Sequence, residues 1–306
     1  MSKITVIGDA VLDNYIYGNT DKKNPESPMP LLIVEEEEYR LGGASNVANN
    51  IASLNGGVNL ISIIGKDENG KKFKKLCEKN KINLIGIISD NPTITKIRFI
   101  DSQYKQQLLR VDYEKKNNLV NYNAQEIIDI LSLQKPKYIV ISDYNKGIIN
   151  KNLVEEVKNF SKKNGSSILV DTKPQNINLF NGVFLIKPNF KEFCEMIGQK
   201  IDNTDENIEN YGKEFTKKYN TNLVVTRSAK GSSLITIDGN VFHIKPSEVR
   251  KVFDVTGAGD TFIATIAYGL DNGYNLEDAV RLANKASGIV VEKVGTATVT
   301  KEELGI

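Results

Sequence analysis

The sequence predicts an α/β protein: a central, mostly parallel β-sheet flanked by helices, with a small β-sheet lid. Three observations carry that reading. Short, continuously apolar runs of strand length recur along the chain, as expected where helices cover both faces of a sheet. Amphipathic helical windows lie between them, the alternation of βαβ units. Two regions break the rhythm with strand-like runs in which charges alternate with apolar residues, a pattern of strands outside the buried sheet.

Taken in order, residues 3–7 (KITVI) read as the first buried strand. Residues 14–18 and 31–40 are expected as half-polar strands, and the four acids Glu35 to Glu38 suit a strand edge blunted by charge. A helix over 45–54 carries Val47, Ile51 and Leu54 on one face. Strand 58–64 and helix 67–80 follow. Residues 94–100 and 106–111 form a hairpin around Asp101 to Lys105. With the two earlier half-polar runs it gives an antiparallel lid subdomain, built from about 14–18, 31–40 and 94–111, able to cover a cleft. The same pattern also fits a ragged edge of the main sheet. Helices are then expected at 124–133, 151–163, 189–197, 206–218, 258–272 and 276–290, and strands at 138–141, 167–170, 183–186 and 222–226. No internal repeat is visible.

The 306 residues suit two average domains or one large α/β unit, and a single unit over 1–306 is expected. The 40% hydrophobic and 25% charged content is that of a soluble globular chain and excludes a disordered, collagen-like or disulfide-framework protein. Lys and Arg total 40 against 38 Asp and Glu, so nothing points to nucleic acid as a partner. Cys77 and Cys194 each lie in a Lys/Glu-rich helical stretch, which suits a reducing compartment. The opening apolar run reaches Asp9 too soon for a signal-peptide core, and no run of about 18 apolar residues occurs. A cytoplasmic protein without membrane contact is expected.

Four stretches carry chemistry. Asp254-Val255-Thr256-Gly257-Ala258-Gly259-Asp260 precedes a helical run with Phe262, Ile263, Ile266 and Leu270 on one face. A small-residue turn opening a helix offers N–H groups and positive dipole charge to an anion. Asp260 beside that site fits a base that takes the proton of a hydroxyl attacking a phosphate, and equally an ordinary capping acid. Gly42-Gly43-Ala44-Ser45-Asn46 follows a strand and enters a helix. The glycines allow close backbone approach and Asn46 offers a two-sided hydrogen bond; a plain loop fits as well. Asp9 and Asp13 lie beyond the first strand, where open α/β sheets bind ligands, and suit sugar hydroxyls. In Lys187-Pro188-Asn189-Phe190-Lys191-Glu192, Asn189 and Glu192 fit either a helix capping box or a site beside phosphate and metal. No G-x-G-x-x-G follows the first strand and no Walker A motif occurs, which disfavours a dinucleotide enzyme and a P-loop kinase. The only histidine, His243, reads as structural, and no His/Cys metal cluster is present.

In this order the four stretches resemble the ribokinase-like (PfkB) family of carbohydrate kinases over essentially the whole chain. The matching pieces are Gly42-Gly43 with Asn46, Gly65-Lys66-Asp67-Glu68-Asn69-Gly70, the N-x-x-E from Asn189 to Glu192, and Asp254 to Asp260. The last fits the family's D-T-x-G-A-G-D with Val255 for the usual Thr, and Asn55-Gly56 departs where Leu-Gly is frequent. Within the family, residues 8–15 and 24–30, 92–98, 106–112 and 142–147 resemble the heptose-7-phosphate kinases.

The resemblance implies a ribokinase-like fold and an ATP- and Mg²⁺-dependent transfer to the C1 hydroxyl of D-glycero-D-manno-heptose 7-phosphate, giving the 1,7-bisphosphate of a lipopolysaccharide route. The nearer alternative is a kinase for ribose, fructose or a hexose phosphate. It makes Asp260 the base and Gly257, Ala258 and Gly259 the donors to the γ-phosphoryl. Asn189, Glu192, Thr226, Gly231 and Asn284 match nucleotide positions, with Glu192 reaching Mg²⁺ through water. Asp254 matches a position near the K⁺ that many members bind. Asp13, Gly42, Gly43 and Asn46 match sugar contacts. Lys96, Arg98, Arg110 and Lys146, with Lys173 and Asp143, are the candidates around the substrate's own phosphate, away from the ATP side. A solvated strand face is the other reading of each cation. A homodimer through lid strands is expected. The chain ends six residues after Thr300, so any following nucleotidyltransferase is expected on a separate protein.

Overall fold

The computed structural model describes residues 3–22, 24–114, 122–247 and 251–306. The first strand, β1 (Ile4–Gly8), lies inside a nine-stranded sheet. At Asp9 the chain leaves that sheet and runs on as β2 (Ala10–Asn19), which pairs with β3 (Ile33–Gly43) in a second sheet. Helix α1 (Ala44–Ser53) brings it back, and β4 (Val58–Gly65), α2 (Glu68–Lys79) and β5 (Asn83–Ser89) complete one side of the large sheet. The hairpin β6 (Thr95–Asp101) and β7 (Gln107–Tyr113) completes the small one.

The other side of the large sheet is built by α3 (Ala124–Gln134), β8 (Tyr138–Ser142), α4 (Lys151–Asn164), β9 (Ser167–Asp171), β10 (Leu185–Ile186), α5 (Phe190–Ile197), α6 (Asp205–Tyr219) and β11 (Asn222–Thr226). Strands β12 (Ser232–Ile235) and β13 (Val241–Ile244) precede α7 (Ala258–Asp271), α8 (Leu276–Val290) and the short α9 (Lys301–Leu304). The large sheet has the order β13-β12-β11-β10-β9-β8-β1-β4-β5. It is parallel from β11 to β5 and antiparallel at β11-β12-β13.

Both faces of the large sheet are buried, which is why its strands read as unbroken apolar runs. Ile4, Val6 and Leu60 pack with Val47, Phe73, Phe262 and Ala283 of α1, α2, α7 and α8. Ile7, Ile61 and Ile139 face the opposite layer, with Ile127, Leu153, Phe193 and Ile208 of α3 to α6. Each such fully buried side chain stabilises the fold by roughly 1.5–3 kcal/mol. Asp67, Asn150, Thr204 and Asn275 start their helices by accepting first-turn N–H groups.

The small sheet, ordered β3-β2-β6-β7, is separate from the large one rather than a ragged edge of it. One expectation about it is corrected. The lid is not wholly antiparallel, because β2 and β6 run parallel, from Leu12 opposite Thr95 to Gly18 opposite Asp101. The cause is the large sheet: β2 prolongs β1, β6 follows β5, and those two strands already point the same way. Glu35 to Glu38 do lie on an edge strand, β3. Strands β5 and β12 and helix α9 were not anticipated, and the strand expected at 183–186 pairs only at Leu185–Ile186. Cys77 and Cys194 are free thiols. Among the described residues no helix is long and apolar enough to cross a membrane.

Candidate active site

The carboxyl ends of β1, β8, β9 and β10 deliver Asp9, Asp143 with Tyr144, Asp171 and Lys187 to one rim of the large sheet. A cavity of about 820 Å³ opens there, and the first turn of α7 forms part of its wall. Gly257 precedes that helix at φ 80°, left-handed backbone that a side chain disfavours. A Cβ on it would stand 2.7 Å from Asn46 Nδ2, so the position excludes other residues by contact as well. The first N–H groups of α7 have no acceptor within the helix, and its dipole adds positive character to them.

Asp260, in the first turn of α7, is 3% exposed. Its Oδ1 accepts a hydrogen bond from the Tyr144 hydroxyl at 2.6 Å and its Oδ2 one from Asn46 Nδ2 at 2.9 Å. Burial pushes its pKa up to about 6, against the lowering effect of these two donors. Asn46 is oriented in turn by Asn50, whose Nδ2 reaches Asn46 Oδ1 at 3.2 Å and whose Oδ1 accepts from Thr261 of α7 at 2.9 Å. Asp260 is thus a capped, buried and cavity-facing acid of the kind that serves as a base near neutral pH.

The cavity wall gathers Asn189, Glu192, Thr226, Gly231 and Asn284 with Gly257, Ala258, Gly259 and Asp260. The capping-box reading of Asn189 and Glu192 is what the contacts show, and both residues also line the cavity. They close a capping box on α5, Asn189 Oδ1 accepting from Glu192 N at 2.9 Å and Glu192 Oε2 from Asn189 N at 3.1 Å, while lining the cavity. Asn284 braces the opposite wall, donating to the Lys245 carbonyl at 2.8 Å and accepting from Ser232 Oγ at 3.3 Å. Asp143 also lines the cavity, its carboxylate accepting from Thr172 and Asn176, each at 2.7 Å. Asp254 accepts from the N–H groups of Thr256 and Gly295, each at 2.9 Å. Burial works against it, yet these hydrogen bonds keep its carboxyl below the usual range.

The sugar-side candidates lie along the lid joint. A Cβ on Gly42 would stand 2.2 Å from Asp13 Oδ2, and one on Gly43 would stand 2.4 Å from the Asp9 carbonyl. The paired glycines therefore do permit a close approach, to the chain's own Asp9 and Asp13. Asp13 is buried and ion-paired with Arg98; burial raises its carboxyl pKa and Arg98 opposes the rise. Arg98 and Arg40 both lie over the Tyr15 ring, 5.1 and 4.8 Å from its centre.

Two expectations are corrected. Asp9, read as suited to sugar hydroxyls, is engaged by the backbone instead: its carboxylate accepts the N–H groups of Tyr144, Lys146 and Ile148 at 3.0, 2.9 and 3.3 Å. Lys173 is not remote from the nucleotide candidates but lines the same cavity, 2.8 Å from Glu192. The other candidate cations have acidic partners. Lys96 pairs with Asp112 at 3.6 Å, Arg110 with Asp112 at 2.9 Å and Lys146 with Glu114 at 2.6 Å. The β6–β7 register explains the first, since it sets Lys96 opposite Asp112.

Three residues at the site carried no assigned role in the sequence reading. Tyr144 holds Asp260. Lys187, which is buried, and Asp171, which is half-buried, form an ion pair at 2.9 Å, and the ammonium lies 3.4 Å from where a Cβ on Gly259 would sit. All three lie at or within two residues of the carboxyl ends of parallel strands. The rule that ligands gather beyond carboxyl ends of strands, applied at Asp9 and Asp13, would have found them at β8, β9 and β10.

The model of the "pfkB family carbohydrate kinase" matches residues 1–303. The chain is 39% identical over 307 aligned positions to the bifunctional protein HldE of Haemophilus influenzae strain PittEE, covering 99% of this chain and 63% of that protein. It is likewise 39% identical to HldE of Pasteurella multocida over 99% of its own length. It thus spans 63% of the length of these curated relatives. Phosphofructokinase-2 from Escherichia coli, solved in complex with potassium, superposes with a TM-score of 0.82 at 18% identity, covering 100% of this chain and 97% of that one. Arabidopsis thaliana ribokinase with ribose and ATP gives 0.76 at 20% identity over 99% and 98% of the two chains. These two share the fold.

Proposed function

The chain belongs to the pfkB family of carbohydrate kinases, phosphotransferases with an alcohol acceptor, and from that premise we propose that it phosphorylates the anomeric C1 hydroxyl of a heptose 7-phosphate. The observation that carries the reading is Asp260: a buried carboxylate with a pKa near 6, facing the cavity at the opening turn of α7. Its Oδ takes the proton of the sugar hydroxyl as that oxygen attacks the γ-phosphorus. The bond to the β-bridging oxygen breaks and ADP leaves. The N–H groups at Gly257, Ala258 and Gly259 receive the phosphoryl oxygens, and Lys187 adds a charge beside Gly259. A preorganised donor of this type is worth roughly 3 kcal/mol and a positioned base about 10²–10⁴-fold in rate.

ATP fits the cavity wall formed by Asn189, Thr226, Gly231 and Asn284. Asp171 and Glu192 are carboxylates on that wall already paired with Lys187 and Lys173, so a Mg²⁺ held mainly by phosphates and water fits them better than a protein cage does. Bound there, Mg²⁺ would neutralise phosphate charge. A monovalent cation is supported at Asp254 by its ionised carboxylate and by the buried, unpartnered Oγ1 of Thr296 next to Gly295.

The heptose phosphate is supported by the likeness to HldE and by the lid cations. The C1 and 7-phosphate ends of the sugar would lie between Asp260 and the Arg98, Lys96 and Lys146 region. The whole chain then acts as one kinase unit with its lid. A second copy pairing through the lid edges is supported by Val34 and Leu109, 57% and 56% exposed on β3 and β7. A nucleotidyltransferase is the reaction class that would consume a sugar 1-phosphate of this kind, and an ATP-dependent step of this kind belongs in the cytoplasm. The test is ATP consumption across a panel of sugars and sugar phosphates, with the position of the new phosphate read by NMR. Heptose 7-phosphate should be preferred; a clear preference for ribose, fructose or any unphosphorylated sugar rejects the substrate.

A further inference from the structure

We propose that Tyr144 is a positioning residue for Asp260: its hydroxyl and the Asn46 amide hold the two carboxylate oxygens from opposite sides, so the base meets the sugar hydroxyl ionised and already aimed. The inference rests on the reading of Asp260 as the base. The donors come from separate elements, Asn46 from α1 and Tyr144 from the loop after β8. Two donors on two oxygens fix the rotation of the carboxylate as well as its place. Each oxygen keeps a second lone pair for the incoming hydroxyl.

The tyrosine is itself held firmly. Asp9 accepts the N–H groups of Tyr144, Lys146 and Ile148, so a carboxylate at the end of β1 carries the loop. Asp143 accepts from Asn145 N at 2.8 Å, which completes the turn. Burial and the neighbouring acids Asp260, Asp171 and Asp13 keep the phenol protonated, with its pKa well above 10, so it always has a proton to donate to the carboxylate. The Lys173 ammonium lies 5.6 Å from the centre of its ring. Around Asp260 two further charges oppose one another, Asp171 disfavouring ionisation and Lys187 favouring it. A hydrogen bond donated to the charged form then decides how much of the base is ready at a given pH.

The test is Tyr144→Phe, with kcat/KM followed from pH 5 to 9. Loss of the hydroxyl should move the acid limb upward by about one pH unit and cut kcat at neutral pH roughly tenfold, with the KM for ATP within about twofold of the parent. An acid limb that stays in place overturns the proposal. Replacement of Tyr144 by 3-fluorotyrosine, a stronger donor, keeps the ring and decides the matter should the Phe variant fold poorly: the limb should move downward, and an unmoved limb again overturns it. Asp260→Asn, run alongside, separates the two claims. If that variant keeps near-normal turnover, the base assignment falls. If it is inactive while the Tyr144 variants keep the parent's acid limb, positioning by Tyr144 alone falls.

Discussion

Replacing Asp260 by Asn should cost activity and return stability, and the second effect can be worked from the structure. Burial raises the Asp260 pKa from 3.8 to about 6. A carboxyl whose folded-state pKa lies above its unfolded value binds its proton more tightly in the folded protein. Folding stability therefore falls as pH rises from about 4 to 6 and stays lower above that range. Two pH units correspond to about 3 kcal/mol carried as a penalty at pH 8. An amide of the same shape carries no such penalty. Asn46 can still donate to its oxygen, and the Tyr144 hydroxyl can turn to accept from its nitrogen. In urea titrations the Asn variant should exceed the parent by up to about 3 kcal/mol at pH 8, with the gain shrinking towards zero near pH 4. Turnover should fall at least about 10²-fold while ATP binding, measured by calorimetry, persists. A variant no more stable than the parent at pH 8, or a gain equal at both pH values, would refute the reasoning.

Arg98→Ala leaves the Asp13 carboxylate buried without its partner, so it should destabilise the fold by roughly 3–5 kcal/mol in a thermal or urea melt. Kinetically it should raise the KM for the sugar phosphate far more than that for ATP; equal effects would count against a sugar-side role. Gly257→Ala puts a methyl group 2.7 Å from Asn46 Nδ2 on left-handed backbone. Turnover should drop more than about tenfold with the fold retained by circular dichroism, and unaltered kinetics would argue that this turn does not meet the phosphoryl group. Val34→Glu combined with Leu109→Glu should convert a dimer to a monomer in sedimentation velocity, whereas an unchanged mass would place any dimer contact elsewhere.

Much of the large sheet was legible because burial on both faces leaves a plain signal. Runs such as 58–64 and 222–226 hold no polar alternation to confuse them with surface strands, and the helices between them begin at recognisable caps such as Asn150 and Thr204. The weaker elements were those whose apolar content is low or whose pairing depends on another part of the chain. Strand β5 is the exception: it lies on a sheet edge and is mostly half-exposed, yet Leu84, Ile85, Ile87 and Ile88 form an apolar run that composition does mark. The parallel β2–β6 pairing depends on the directions of β1 and β5, which no local pattern encodes. At the site, the turn at Gly257 to Asp260 was readable from small residues opening a helix. The Tyr144 and Asn46 contacts were not, because they join positions 116 and 214 residues from Asp260 in sequence. Asp9 illustrates the converse: an acid beyond a strand looks the same in sequence whether it meets a ligand or three backbone amides.

The three amides on Asp9 have a practical corollary for protein engineering. Asp9 is the single residue between β1 and β2, so the splice point of the lid and the anchor of the Tyr144 loop coincide. A chimaera that imports a foreign lid by cutting near residue 9 would also unmoor residues 144–148. Grafts meant to change the acceptor should therefore carry segments 9–13 and 142–148 as one cassette, taken from a single donor, or leave both in place.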